Sequence, residues 1–403
     1  MRKANGKSRK LKIAFILDRY LPSRGGESYF SWLAKELASR GHEVHIFATT
    51  AEIIPGMEYQ LHQIPVLKYP HSLRIFSFLR NSARTIQQYD FDIIHGVGRT
   101  FAMNIFNPHG GVEKAYLKQE FSSITNRFYY GYKFLKRYLS PQHYVKLWVQ
   151  RRQYLSDRVR KIIAISRMVK EDIIRYYGVP EEKITVVFNC VDLERFHPKN
   201  RSIFRKGKRR DLGLDDSTLL LLFAGNNYRL KGLDPLLHAL TYLRRSSVNQ
   251  PFHLLIVGRG RISPYLRMAH RLKVSDFTLF LGPVKDMEQY YAASDIYVHP
   301  TFYDSCSLTV LEALASGLPV ITSQFNGAAD VIISNKGGKI LDNPADVEGL
   351  AESIAFYFDE DRRDEARVVA REWMEKYSPT SNVEETLRVY HEVAGGVGKW
   401  KNP

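Results

Sequence analysis

The sequence predicts an α/β protein built from two doubly wound domains that face each other across a cleft. Three observations predict it. Short apolar segments of strand length alternate with amphipathic helical segments in both halves of the chain. Between the halves lies a basic stretch, Lys199 to Arg210, across which the composition changes from aromatic and basic to aliphatic, as at a linker. Gly, Pro and Asn collect at the ends of the apolar segments, where open parallel sheets place their ligands.

The elements follow in order. Leu11 to Leu17 reads as a first buried strand, and a loop with Pro22, Gly25 and Gly26 leads to a helix from about Glu27 to Arg40. Gly41 and a strand at Val44 to Ala48 complete an opening βαβ unit. The Gly25-Gly26 pair just before a helix N-terminus permits close backbone approach of a phosphate, but taken alone it reads first as an ordinary turn. It is not a G-x-G-x-x-G fingerprint. Asp92 to His95 and Phe101 to Phe106 are the next strands, and Asn107-Pro108-His109-Gly110-Gly111 sets a histidine in a loop at a strand end. Lys161 to Ser166 and Ile184 to Phe188 close the first series, before the irregular basic segment. The second series runs through Thr218 to Gly225, a helix after Gly232, Phe252 to Gly258, a helix around Tyr265 to Arg271, Phe277 to Gly282 and Ile296 to Val298. Pro319 to Thr322 and helices to Tyr377 follow. Ser378-Pro379 breaks the last long helix, and Val383, Leu387 and Tyr390 mark a final amphipathic one.

A chain of 403 residues has room for two full cores, which excludes a single small module. Cys190 and Cys306 stand far apart and match no metal spacing, so a reduced cytosolic protein is expected. The basic start followed by LKIAFIL resembles a leader, but Lys12 interrupts the apolar run and no cleavage pattern follows. No apolar run approaches the ~20 residues that cross a bilayer. The net charge of +17 points to an anionic partner: nucleic acid, anionic lipid or a phosphorylated substrate.

Residues 121–155 contain no Asp or Glu, while Arg127, Lys133, Lys136, Arg137, Lys146, Arg151 and Arg152 alternate with ten aromatic residues. This composition suits an anionic membrane surface, the stacking of nucleic-acid bases, or a helical pair with a buried aromatic face.

The run Thr301 to Pro319 carries two carboxylates, Asp304 and Glu312, around a helix expected over Ser307 to Ser316, with Gly317 and Pro319 as its stop. Leu308, Leu311, Leu314 and Ala315 form the apolar stripe. The open N-terminus offers unpaired N–H groups to an anion.

Taken together, these motifs resemble the retaining glycosyltransferases of family 4, with the two-Rossmann GT-B fold. The likeness runs from about Leu11 to Tyr377. It rests on Gly25-Gly26, His109-Gly110, IAIS at Ile163 to Ser166, the N-x-V-D-x-x-x-F-x-P run from Asn189 to Pro198, Lys231-Gly232, VGRG at Val257 to Gly260, and the acid-x7-acid pair Asp304 and Glu312. Within the family the phrase GNNYRLKGLDPLLHAL and the run from His299 to Glu312 look most like hexosyltransferases of the lipopolysaccharide core.

The resemblance implies an acceptor-binding domain of residues 1–197 joined by 377–403, whose C-terminal helix returns to it, and a nucleotide-sugar domain of residues 198–376. It implies that Glu312 binds the nucleotide ribose and that Arg229 and Lys231 grip the diphosphate together with backbone N–H groups of Ser307 and Leu308. Asp304 and Cys306 would line the sugar pocket, and His109 would reach the sugar from the opposite domain. Gly25 and Gly26 would close over the phosphates, and Arg259 and Val284 would join the donor site. The implied catalytic set is Asp304, His109, Arg229 and Lys231. The implied donor is a UDP-hexose, with UDP-glucose foremost, and the implied acceptor a lipid-linked or lipopolysaccharide-core saccharide met at the cytoplasmic face of the membrane through residues 121–155. Neither a metal, a further cofactor nor nucleic acid is expected.

Three departures from the family pattern stand out. Asp304 replaces the usual Glu, Ser307 and Cys190 stand where glycine is common, and Arg229 precedes Lys231 by only two residues. A soluble acceptor, a nucleotide-sugar epimerase of the same plan, and a nucleic-acid-binding protein that keeps the fold are the competing readings.

Overall fold

The computed structural model describes residues 9–21, 25–52, 59–67, 69, 71–245, 250–333 and 336–395. The first half contains β1 (Lys12–Ile16), β2 (Arg19–Tyr20), α1 (Gly25–Ser39), β3 (Glu43–Ala48), β4 (Thr50–Ala51), β5 (Gln60–Gln63), α2 (His71–Ile86), β6 (Ile93–Val97) and β7 (Ile105–Asn107). It continues with α3 (Glu113–Ser122), α4 (Arg127–Tyr138), α5 (Pro141–Tyr154), β8 (Lys161–Ala164), α6 (Arg167–Tyr177) and β9 (Ile184–Val186). The second half contains α7 (Asn200–Asp211), β10 (Leu219–Ala224), α8 (Leu233–Arg245), β11 (Phe252–Val257), α9 (Ile262–Arg271), β12 (Thr278–Gly282), α10 (Met287–Ala293) and β13 (Ile296–His299). It ends with α11 (Leu308–Ala315), β14 (Val320–Ser323), β15 (Gly338–Leu341), α12 (Val347–Phe356), α13 (Glu360–Lys376) and α14 (Pro379–Gly395).

Two large parallel sheets result, ordered β5-β3-β1-β6-β7-β8-β9 and β12-β11-β10-β13-β14-β15, and β2 pairs with β4 in a small third one. Parallel strands covered by helices on both faces need apolar residues on both faces, which is why β10 reads as the unbroken run LLLLFA and is buried at every position. In the first sheet Ile13 pairs with Val44 on one side and Ile93 on the other. In the second, Leu221 lies between Leu254 and Ile296. Strand order reverses beside β1 and again beside β10, and a crevice opens at the carboxyl ends of the strands at each reversal.

The last helix, α14, packs on the first sheet. Tyr390 Oη meets His95 Nδ1 at 2.6 Å, and Tyr29 Oη donates to Asn382 Oδ1 at 2.9 Å.

Several local expectations are corrected. The segment expected to be an irregular linker is the helix α7, because Arg201, Arg205 and Arg209 recur every four residues and converge on the buried carboxylate of Asp295. Gly25 and Gly26 open α1 and do not lie in a loop before it. The strand expected at Phe101 to Phe106 is confined to Ile105–Asn107. Ser307 has φ −67° and Cys190 is not among the residues with positive φ, so non-glycine residues at these family glycine positions cost no backbone strain.

Candidate active site in the interdomain cleft

The site begins with a turn. Lys231 N–H bonds to Asn227 O, Gly232 N–H to Arg229 O and Leu233 N–H to Tyr228 O, forming a tight bend before α8. Gly232 adopts φ +81° with the carbonyl of Pro300 against it, so only glycine fits. Leu230 O takes hydrogen bonds from Phe302 N–H and Thr301 Oγ1, which ties this bend to the loop after β13.

That junction brings Lys231 to Asp304. The ammonium is ion-paired with Asp304 Oδ2 and lies 3.4 Å from Tyr303 O; both charged side chains retain 18% exposure. His299 Nε2 stands 3.5 Å from the same carboxylate oxygen. Burial alone would raise the Asp304 carboxyl, but the Lys231 charge and the hydrogen bond from His299 outweigh it and hold Asp304 well below the usual carboxylate range. Asp304 is therefore a permanent anion. An ammonium has three donor protons, so two contacts leave one for a ligand.

His109 comes from the loop after β7. Its ring stacks on Tyr29 at 5.5 Å and meets Phe30 edge-on at 5.1 Å, and its Nδ1 is buried without a hydrogen-bond partner. Burial pushes its pKa down to about 4 against the opposing pull of Asp304, so the imidazole is neutral near pH 7. The two halves of the chain are joined here. Ser305 Oγ donates to His109 O at 2.9 Å, Val112 N–H donates to Tyr303 Oη at 3.0 Å, and Ser166 Oγ donates to Ser305 O at 2.8 Å.

Glu312 lies one turn into α11 and accepts from Tyr291 Oη at 2.9 Å. Burial pushes its carboxyl up to about 7, although Tyr291 and Arg195 pull it down. It lines a cavity of about 470 Å³ with Leu308, Arg195, Ser28, Tyr29 and Trp32, between α1, the 190–196 loop and α11. A cavity of this size suits a small ligand.

The site thus joins Lys231 to Asp304, whose charge acts on His109, while Glu312 and Leu308 line the cavity beside α1. It divides the two cations expected to act as a pair. Arg229 turns away from Lys231 into a second cavity that Arg259 also lines, with its guanidinium over the ring of Tyr129 at 5.4 Å. The bend between Asn227 and Gly232 sends residues two apart to opposite sides. Ser307 N–H is likewise committed, to Asn326 Oδ1 at 3.2 Å, which leaves Leu308 at the start of α11 as the expected donor still in the cavity wall. Cys306 is buried, 5% exposed, in the core beneath the loop. Val284 is half-buried after β12. Among the described residues no group of three or more His, Cys, Asp or Glu side chains could hold a metal ion.

Tyr303 and Tyr291 were not anticipated, and His299 and Ser305 stood in the motif run without a role in the site. For Tyr303 and Ser305 the only signal was their place inside the run around Asp304.

Comparison with known proteins fixes the class. The family described as Glycosyltransferase Family 4 matches residues 23–195, and that described as Glycosyl transferases group 1 matches residues 218–360, so the two patterns take in both sheets. The chain is a glycosyltransferase of family 4 with the GT-B fold. This glycosyltransferase is 23% identical to the lipopolysaccharide glucosyltransferase WaaG of Escherichia coli K12 over 346 residues, 85% of this chain and 88% of that protein. It is 31% identical over 242 residues to a D-inositol 3-phosphate glycosyltransferase of Pseudarthrobacter chlorophenolicus, a match over 58% of this chain and 56% of that protein. Its fold superposes on the crystal structure of WaaG with a TM-score of 0.76 at 20% identity, over 95% of this chain and all of that one. Anabaena HepE in complex with UDP-glucose gives 0.69 at 16% identity, over 94% of this chain and all of that one.

Proposed function

We propose that this glycosyltransferase moves a hexose from a UDP-sugar, glucose foremost, to a saccharide carried on a membrane lipid, with retention at the anomeric carbon. The observation that carries the reading is the ion pair of Lys231 and Asp304, whose carboxylate acts on the charge of the buried His109 imidazole from the other half of the chain. The relatives' names support the donor and acceptor classes: WaaG is a lipopolysaccharide glucosyltransferase and HepE was crystallised with UDP-glucose.

On this reading the ribose hydroxyls hydrogen-bond to Glu312, and the third proton of Lys231 goes to the phosphate that leaves. Asp304 takes sugar hydroxyls, and His109 Nδ1 meets another from above. The bond from C1 to the phosphate oxygen breaks, and the acceptor hydroxyl bonds to C1 on the same face. Its proton passes to the departing phosphate oxygen, so no protein base is required. The first sheet supplies the acceptor side.

Helix α4 supports the membrane part. None of its residues is buried, and Phe128, Tyr132, Leu135 and Leu139 beyond it are 92%, 61%, 59% and 72% exposed. Part of its charge is already matched, because Lys133 and Arg137 bind Glu120 of α3 at 2.8 Å each. Aromatic insertion then contributes alongside Arg127 and Lys136. No helix among the described residues is long and apolar enough to cross a membrane.

A panel of nucleotide sugars scored by thermal stabilisation and hydrolysis tests the donor. UDP-glucose should stabilise the protein, and Asp304→Ala and Glu312→Ala should each remove the effect; indifference of both variants refutes the assignment. Conversion of the donor without acceptor to its epimer would favour an epimerase. Sedimentation with anionic vesicles at low salt tests the membrane part, with Phe128→Ser and Leu135→Ser expected to stay in solution.

A further inference from the structure

The second cavity, about 560 Å³, is lined by residues 226–229 of the same bend, and Lys231 does not line it. Its walls are the loops after β10 and β11 with the first turns of α8 and α9, and its roof is Tyr129 of α4. Three arginines line it, Arg229, Arg259 and Arg261, against one acidic residue, Asp234. Among the described residues no salt bridge engages any of the three. Arg229 Nε is buried without a hydrogen-bond partner, and so is Asp234 Oδ1, while Tyr265 hydrogen-bonds to the same carboxyl group.

Three unpaired arginines in one concavity are an anion site. Guanidinium forks match phosphate oxygens in pairs. Much of the remaining lining is of another kind: Asp234 with a carboxylate oxygen that lacks a donor, Asn226 and Asn227, and the tyrosines at 129, 228 and 265. A carboxylate accepts from hydroxyl groups, and flat aromatic faces pack against the apolar side of a pyranose. A bare phosphate would use only the arginines, whereas a phosphorylated saccharide uses the whole lining, and the volume suits it.

The donor already has its place in the reading above, between Glu312 and Lys231. This cavity lies outside that span and is roofed by the helix assigned to the membrane. We propose that it binds a phosphate-bearing part of the acceptor, so that the acceptor is a phosphorylated saccharide. The inference rests on the donor reading but fails separately from it.

Titration calorimetry on the full chain with glucose 6-phosphate, glucose and UDP tests it. Glucose 6-phosphate should bind in the presence of saturating UDP, and glucose should not. Arg261→Ala should weaken glucose 6-phosphate by about tenfold, the loss of one charge-assisted contact, and leave UDP affinity unchanged. Tyr129→Ala should act in the same direction. Displacement of glucose 6-phosphate by UDP, or a loss of UDP affinity in Arg261→Ala, would return the cavity to the donor and overturn the proposal, as would unchanged sugar-phosphate binding in that variant. Vesicles of phosphatidylglycerol carry phosphate without sugar. If Arg261→Ala loses them together with glucose 6-phosphate, the cavity reads a lipid headgroup and the proposal falls. If UDP does not bind the wild-type protein, the donor reading fails; if UDP binds and glucose 6-phosphate does not, only this one does.

Discussion

Tyr303 reaches from the second half of the chain to the first, and its hydroxyl accepts the N–H of Val112 at 3.0 Å against Gly111, which adopts φ +78°. A Cβ at Gly111 would overlap that hydroxyl, so the position carries both a backbone and a packing demand. Gly111→Ala should cost about 1–3 kcal/mol from the positive φ, and should also push the two walls of the cleft apart. Tyr303→Phe removes only the hydrogen bond, worth about 1 kcal/mol. Thermal unfolding with and without UDP-glucose checks this: the alanine variant should lose donor stabilisation as well as stability, and the phenylalanine variant mainly stability. Equal effects from the two would refute a clamp that depends on close approach.

The pair of Lys231 and Asp304 predicts a pH signature. Asp304 has a depressed carboxyl in the fold, so its stabilisation is fully present above the ordinary carboxylate pKa and is lost as the pH falls towards the folded value. Lys231→Ala removes the leading charge that depresses it and leaves a largely buried anion without its cation. The variant should be about 3 kcal/mol less stable at pH 7, and its deficit should shrink as the pH is lowered through about 4. Urea unfolding at pH 7 and pH 4 measures both points. A deficit that does not change with pH would mean that the two residues are not coupled.

What could be read from the sequence was whatever short-range period encodes. The strands of the two sheets showed as apolar runs, and α11 showed its stripe, its stop at Gly317 and its two acids, with φ +76° at Gly317 as a left-handed cap requires. Long-range partners were not legible. Helix α7 is too polar to show an apolar stripe, because its order comes from Asp295 some 90 positions later. Its arginines at 201, 205 and 209 were the available signal. Nor does spacing say on which side of a bend a side chain emerges, which is why Arg229 and Lys231 looked like a pair. The acid that matches Lys133 and Arg137 is Glu120 of α3, one position outside the acid-free segment 121–155.

The Asp295 cluster gives a stability prediction away from the chemistry. This carboxylate is 3% exposed and takes Arg201, Arg205 and Arg209 at 2.9 to 3.3 Å, while Arg209 is itself 1% exposed. Asp295→Asn removes the buried counter-charge of Arg209, leaving only the exposed carboxylate of Asp216 at 3.7 Å, and should cost about 3 kcal/mol. The donor affinity of the molecules that remain folded should not change, because α7 lines neither cavity of the cleft. Unfolding in urea and UDP titration on the same samples would separate the two effects; a stability unchanged within about 0.5 kcal/mol would show that the cluster is already compensated by solvent.

Glu312 offers a pH test of the ribose contact. Its carboxyl is raised to about 7, so the fold favours the protonated form, and this group's contribution to stability falls as the pH rises from the ordinary carboxylate value through 7. Donor binding runs the other way. Ribose hydroxyls donate to a carboxylate, so a bound nucleotide favours the anion and shifts the group downward. UDP affinity should therefore rise as the pH goes from 6 to 8 and level off above the free-enzyme value near 7. Glu312→Gln cannot ionise and should bind more weakly with a flat profile over the same range. Calorimetry in buffers of different ionisation enthalpy adds a second readout: the wild-type protein should release a fraction of a proton on binding UDP near pH 7, and the glutamine variant none. A pH-independent wild-type affinity would place the ribose elsewhere in the cleft.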